Sequence, residues 1–127
     1  MPMSNFEIYE NALRILGIPV NAEGNEDYEE RAPYLLAAFC SSVLEIDGFL
    51  RMAAGMAATA PFNRVFVSLD DEFPLLDRLA PIAALALASS LVADENAELS
   101  DRLYERAQDA LSDVRCGISL SIEDVYA

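Results

Sequence analysis

The stretch LAPIAALALASSLVA, residues 79–93, runs for fifteen residues without a charge and is bounded by Arg78 and Asp94. A run like this is a membrane span, a buried helix or a partner surface, and each choice imposes a different architecture on the remaining chain. As a helix it extends about 22 Å, short of the roughly 30 Å hydrocarbon core of a bilayer. Beyond the single Arg78, which follows Asp77, neither flank carries the basic or aromatic anchors of a membrane span. The alanines and the Ser89-Ser90 pair predict a buried helix whose small side chains let neighbours approach closely. It starts near Asp77, with Pro81 in its first turn.

The neighbours it needs are legible on both sides. In SNFEIYENALRILGIP, Ser4 and Glu7 form a capping box, Phe6, Tyr9, Leu13 and Leu16 share one face, and Gly17 and Pro19 stop the helix. After the polar VNAEGNED, Asn25 is a cap for a second helix over 26–46. Its buried stripe is Tyr28, Leu35, Phe39, Val43 and Ile46, with Leu36 and Cys40 beside it, and Pro33 either kinks it or delays its regular start. Asp47-Gly48 is a turn signal, after which FLRMA can add a further turn. From 97 to 115 Leu99, Leu103, Ala107, Ala110, Leu111 and Val114 mark an amphipathic helix, antiparallel to the apolar one across the short ADENAE turn.

Two segments do not fit the helical pattern. The loop over 54–76 is long for a structureless connection and too apolar for a solvated one, and RVFVSL within it has the character of a short strand over 64–69. In GISLSIEDVYA, Ile118, Leu120 and Ile122 alternate with Ser119, Ser121 and Glu123, as in a strand or an extended arm over 117–127. The expected fold is therefore mainly α: a single domain, a small bundle of four to five helices (5–16, 26–46, 77–93 and 97–115 the clear ones) with a long loop and a C-terminal arm.

Composition removes whole classes of function. The chain has no His and no Lys, and all eight basic residues are Arg. Ser-His-Asp and Cys-His nucleophile systems, a Walker A or Schiff-base lysine and any histidine-containing zinc site are thereby excluded within it. A net charge of −14 opposes binding to phosphate backbones and to anionic membrane surfaces. Glu7, Glu10, Glu23, Glu26 and Asp27 occupy the first thirty residues without a long apolar run, so no signal peptide is expected. Cys40 and Cys116 then read as free thiols in an intracellular protein, the first a core packing residue.

Carboxylate chemistry remains, and its candidates have simpler explanations. Asp94, Asn96, Glu98, Ser100 and Glu105 fall at positions 1, 3, 5, 7 and 12 of a calcium loop. Position 6 is Leu99 where the turn needs Gly, so the stretch reads as a helix start with an acidic first turn. Asp70, Asp71 and Glu72, with Asp77, read as a solvated turn before Pro74. Glu26, Glu29 and Glu30 suggest a nucleotide pyrophosphohydrolase helix pair, but Glu45 does not provide the facing acidic pair, and an acidic outer face is the simpler reading. No metal, no cofactor and no catalysis are expected.

The order of elements in DDEFPLLDRLAPIAALALASSLVADENAELSDRLYERAQDALSDVR, with NALRILGI, YEERAPYLL and the final IEDVY, resembles the head–tail connector (adaptor) proteins of tailed bacteriophages. The resemblance implies an α-helical subunit that assembles into a ring beneath the portal and extends the DNA channel, neighbours exchanging loops and terminal arms. It implies as partners further copies of the chain, the portal, and neck or tail proteins. It places the protein in the host cytoplasm at synthesis and then at the head–tail junction of the virion. Independently of it, the loop and the arm are more apolar than solvated segments need to be, and the acidic charge would give a channel wall to which DNA does not adhere. The residues expected to meet other copies or partners are Met56, Phe62, Val65, Phe66, Val67, Ile118, Leu120, Ile122, Val125 and Tyr126. Tyr126 reads equally as a plain terminal residue. The alternative is an acidic cytoplasmic interaction module or regulator that masks a basic partner.

Overall fold

The computed structural model describes residues 3–58 and 62–126, and the side chains of those up to Gly117. Five helices follow one another: α1 (Asn5–Leu16), α2 (Glu26–Ser42), α3 (Leu44–Ala53), α4 (Ala80–Val92) and α5 (Ala97–Tyr126), with a 3₁₀ turn at Asp77–Leu79 leading into α4. No helix among the described residues is long and apolar enough to cross a membrane.

The apolar segment is α4, and α1, α2 and α5 all pack on it. Ile82, Ala83, Ala84, Leu87, Ala88, Leu91 and Val92 are buried, so nearly the whole circumference of this helix is core. Two serines set the register of α4 against α5. Ser89 Oγ donates to the Ser100 carbonyl and Ser100 Oγ to the Ser89 carbonyl, both at 2.8 Å. Each hydroxyl is thus satisfied in an otherwise apolar seam, which makes its burial tolerable. At the other end of the pair, the Arg78 guanidinium lies near Gly117, whose added Cβ would sit 3.7 Å from Nη2.

α1 starts and ends as its residues dictate. Ser4 Oγ accepts from Glu7 N at 3.1 Å, and Gly17, at φ 74°, closes the helix with Ile18 N donating to the Leu13 carbonyl at 2.9 Å. Its buried face is Ile8, Tyr9, Ala12 and Leu13, while Phe6 is exposed. Asn25 precedes α2, but its side chain makes no cap; its amide donates backward to the carbonyls of Pro19 and Val20 at 2.9 and 3.2 Å.

Three expectations need correction. The helix over 26–46 is two helices that break at Val43, where φ −115° and ψ 13° leave the helical region. Ser42 Oγ bonds back to the Phe39 carbonyl at 2.7 Å and a β-branched residue follows, both of which weaken the helical ladder there. Asp47-Gly48 is no turn: both lie inside α3, because the Asp47 carboxylate is satisfied within the fold rather than by its own backbone. The stripe of α2 is rotated as well. Tyr28, Ala32, Leu36, Ala37 and Cys40 face the core, leaving Leu35 and Phe39 half-buried.

The two non-helical expectations also change. Residues 64–69 form no strand, and the only bridge among the described residues joins Ser4 to Glu72. Their backbone serves helix residues instead: Val67 N donates to the Pro33 carbonyl and the Leu69 carbonyl accepts from Phe6 N, while the carbonyl of Asp71 just beyond accepts from Asn5 N, the last two at 2.9 Å. Those two donors are the orphans of the first turn of α1, so the loop caps the helix. The extended arm over 117–127 is replaced by helix, since α5 continues to Tyr126. Ile118, Ile122 and Val125 fall at i, i+4 and i+7, a spacing that reads as one helical face as readily as alternation reads as a strand.

Because Ala88 is fully buried between helices, Ala88→Leu overpacks the seam and lowers stability by about 1–3 kcal/mol in urea titrations. Tyr9 Oη is buried without a hydrogen-bond partner, so Tyr9→Phe leaves the urea midpoint unchanged or raises it.

Candidate functional site

One anchor of the loop between α3 and the 3₁₀ turn is a buried carboxylate. Asp47, on the first turn of α3, is fully buried. Its Oδ2 accepts from Arg51 Nε and its Oδ1 from the backbone N–H of Leu76, both at 2.8 Å. The i,i+4 pair keeps the charge compensated inside the protein, while the bond to Leu76 fixes the return of the loop into α4. Asp77 Oδ1 accepts from Met3 N at 3.2 Å and Phe73 N donates to the Met3 carbonyl at 2.8 Å, fastening the same end of the loop to the chain start.

So anchored, the loop displays part of its apolar side chains outward. Val65 is 78% exposed, Met56 48% and Phe66 45%. Phe66 does not stand alone: the Tyr34 ring of α2 meets it edge-on with centroids 5.2 Å apart, and Tyr34 is itself exposed. An exposed aromatic pair beside an exposed valine is a patch, unlike the scattered apolar residues of an ordinary surface. Phe62 is half-buried beneath the Arg64 guanidinium, 4.9 Å from its ring centroid. Val67 is different in kind. At 2% exposure it belongs to the chain's own core, and it leaves the set of contacts available to another molecule. The side chains of Ile118, Leu120, Ile122, Val125 and Tyr126 lie outside the described residues.

The acidic candidates are used structurally. Among the described residues no three carboxylates or thiols gather where a metal ion could sit. In the stretch compared with a calcium loop, Asn96 Oδ1 accepts from Leu99 N at 3.0 Å, the bond of a helix N-cap. At Asp70–Glu72 the backbone does the work, the Asp71 carbonyl capping α1 and Asp70 N donating to Ser68 Oγ at 3.2 Å. Asp27 pairs with Arg31 at 3.0 Å, and Arg31 Nη2 also donates to the Leu91 carbonyl at 3.0 Å, tying the start of α2 to the end of α4.

Cys40 is fully buried, and its thiol is pushed up to about 12, first by burial and then by the Asp47 charge. Arg64, brought near by the loop though remote in sequence, pulls in the opposite direction and loses. Tyr28 is pushed up to about 12 by burial and by Glu95. Neither group is poised for nucleophilic chemistry near neutral pH. The residues that sequence reading passed over are Asp47 and Arg51. Their i,i+4 spacing was visible, but the burial that gives it weight depends on the loop folding back over α3.

Compared with family models, curated proteins and solved structures, the chain matches none of them.

The raised thiol sets a stability limit in alkali. Folded Cys40 keeps a proton that an unfolded thiol releases above its ordinary 9.0, so stability is full below pH 9 and falls as pH rises toward 12. Urea midpoints measured between about pH 8 and 11 should decline, and Cys40→Ala should flatten that decline although it starts from a lower midpoint. In the folded protein an aromatic disulfide reagent should titrate exposed Cys116 and reach Cys40 only after unfolding.

Proposed function

We propose that the protein is a non-catalytic assembly subunit, a bacteriophage virion structural protein of head–tail connector type that self-associates and docks on a portal. The observation that carries this reading is the outward display of Val65 and Phe66, with Tyr34 of α2 against Phe66 and Met56 exposed elsewhere on the same loop, which is pinned at its return by Asp47 and Asp77. A solvated connection gains nothing from such side chains, and a fixed backbone lowers the entropic cost of using them as contacts. The reading also draws on the resemblance in element order to connector proteins, on the shortage of catalytic residue types, and on a charge of −14 suited to a wall past which DNA slides. In this role the chain is made in the host cytoplasm and ends at the head–tail junction.

Sedimentation velocity over a wide concentration range, alone and with portal rings, tests the reading. Concentration-dependent oligomers or co-sedimentation with the portal are expected. Val65→Asp and Phe66→Asp, both at exposed positions, should return the protein to monomer without unfolding it. A protein that stays strictly monomeric and ignores portal rings overturns the reading.

A further inference from the structure

A second apolar surface lies away from the loop. α2 and α5 both run antiparallel to α4, as the Arg31–Leu91 and Ser89–Ser100 bonds show, so they flank it in parallel. Between them opens a groove of about 330 Å³, floored by Ala86 and walled by Leu35 and Phe39 of α2 and by Tyr104 and Leu111 of α5. Leu35 and Phe39 are left half-buried here because the core-facing stripe of α2 runs through Leu36 and Cys40. No charged side chain lines the groove; the Ser42 hydroxyl at its edge is already committed to the Phe39 carbonyl, and Ser90, Gln108 and the Tyr104 hydroxyl are its other polar groups. With its walls mainly apolar and no charge to orient a small ionic ligand, it fits a row of aliphatic side chains.

The charges around the groove narrow the occupant. On α5, exposed Asp101 lies a turn before Tyr104 toward the groove, and exposed Glu105 beside it faces outward. Helical register puts Arg102 and Arg106 roughly opposite, and exposed Arg115 stands one turn beyond Leu111 at the far end of the groove. Asp27 is exposed at the start of α2, and its neighbour Arg31 is engaged by Asp27 and by the Leu91 carbonyl. The α4–α5 turn beside that end adds exposed Asp94 and Glu95. A second copy of the chain would bring its own charge of −14 against this rim, and nucleic acid or an anionic membrane would be repelled likewise.

We propose that the groove between α2 and α5 is a docking site for a basic amphipathic helix of a partner protein. The apolar face of that helix covers Leu35, Phe39 and the Tyr104 ring, and its Lys or Arg side chains meet Asp101 and Glu105. This is helix-in-groove recognition, with apolar burial supplying affinity and the acidic rim supplying choice of partner and orientation. It rests on the groove alone and does not require self-association through the loop.

The probe is a fluorescein-labelled synthetic helix of about 18 residues with Leu on one face and Lys on the others, beside a counterpart with Glu in place of Lys. Fluorescence anisotropy with the full chain should show saturable binding of the Leu/Lys peptide and at least about tenfold weaker binding of the Leu/Glu peptide. Ala38 is exposed on the groove lip, so Ala38→Gln, neutral and helix-forming, obstructs the seat without altering charge or core. It should weaken the Leu/Lys peptide by about tenfold or more while thermal melting stays close to that of the unaltered protein. The pair Asp101→Asn and Glu105→Gln should weaken it several-fold and reduce its salt dependence. Val65→Asp should leave peptide binding intact, which separates this surface from the loop patch. Binding that survives Ala38→Gln, meaning mere adherence to an acidic surface, overturns the proposal. So does absence of binding by the folded chain, or a dimer that Ala38→Gln disperses, which would assign the groove to a second copy.

Discussion

Everything in this fold is arranged around a helix with almost no surface of its own. α4 is apolar on nearly all sides and built largely of alanine, so it cannot exist in water until α1, α2 and α5 enclose it. Small side chains make that enclosure tight, and they also remove the interlocking ridges that ordinarily fix how two helices mesh. The reciprocal Ser89–Ser100 bonds restore what alanine gives up. A one-turn slip of α5 along α4 would break both bonds and strand the buried Ser89 hydroxyl, at a cost of about 1–3 kcal/mol. Affinity between these helices therefore comes from burial, and alignment from two hydroxyl groups.

Acidic residues take up a second task because the chain has few other polar groups to offer. Asp47 and Asp77 receive backbone N–H groups from far along the sequence, and the carbonyls of Leu69 and Asp71 receive those at the start of α1. A long loop without regular structure is thereby fixed at many points. Its outward residues form a surface of defined shape, which is why an apolar patch can persist there without the loop collapsing onto its own helices.

Much of this was readable in the sequence where a residue's role is local. The caps of α1, the uncharged run of α4, the short turn and the stripe of α5 follow from spacing and cap chemistry alone. What was not readable depended on distant partners. Asp47-Gly48 has the composition of a turn, and becomes helical only because Arg51 and the Leu76 amide satisfy the carboxylate. Val65 and Val67 look equivalent in RVFVSL, yet one is exposed and the other buried, because the Val67 amide is held by the Pro33 carbonyl. In α2 the apolar residues exceed the width of one face. The sequence does not say which of Leu35 and Leu36, or of Phe39 and Cys40, will turn inward. The final residues alternate and also repeat at helical spacing, and continuity with α5 decides between the two.

α5 continues as one uninterrupted rod of 30 residues, about 45 Å long. Its first two-thirds are clamped to α4 between Ser100 and the Arg78 level, and the remaining turns prolong the same axis beyond that level. A single stiff helix transmits both distance and rotational phase. The direction in which its far end points is therefore set by the serine pair near its beginning. In an unbroken helix the rotational phase fixed at Ser100 carries through to every later turn.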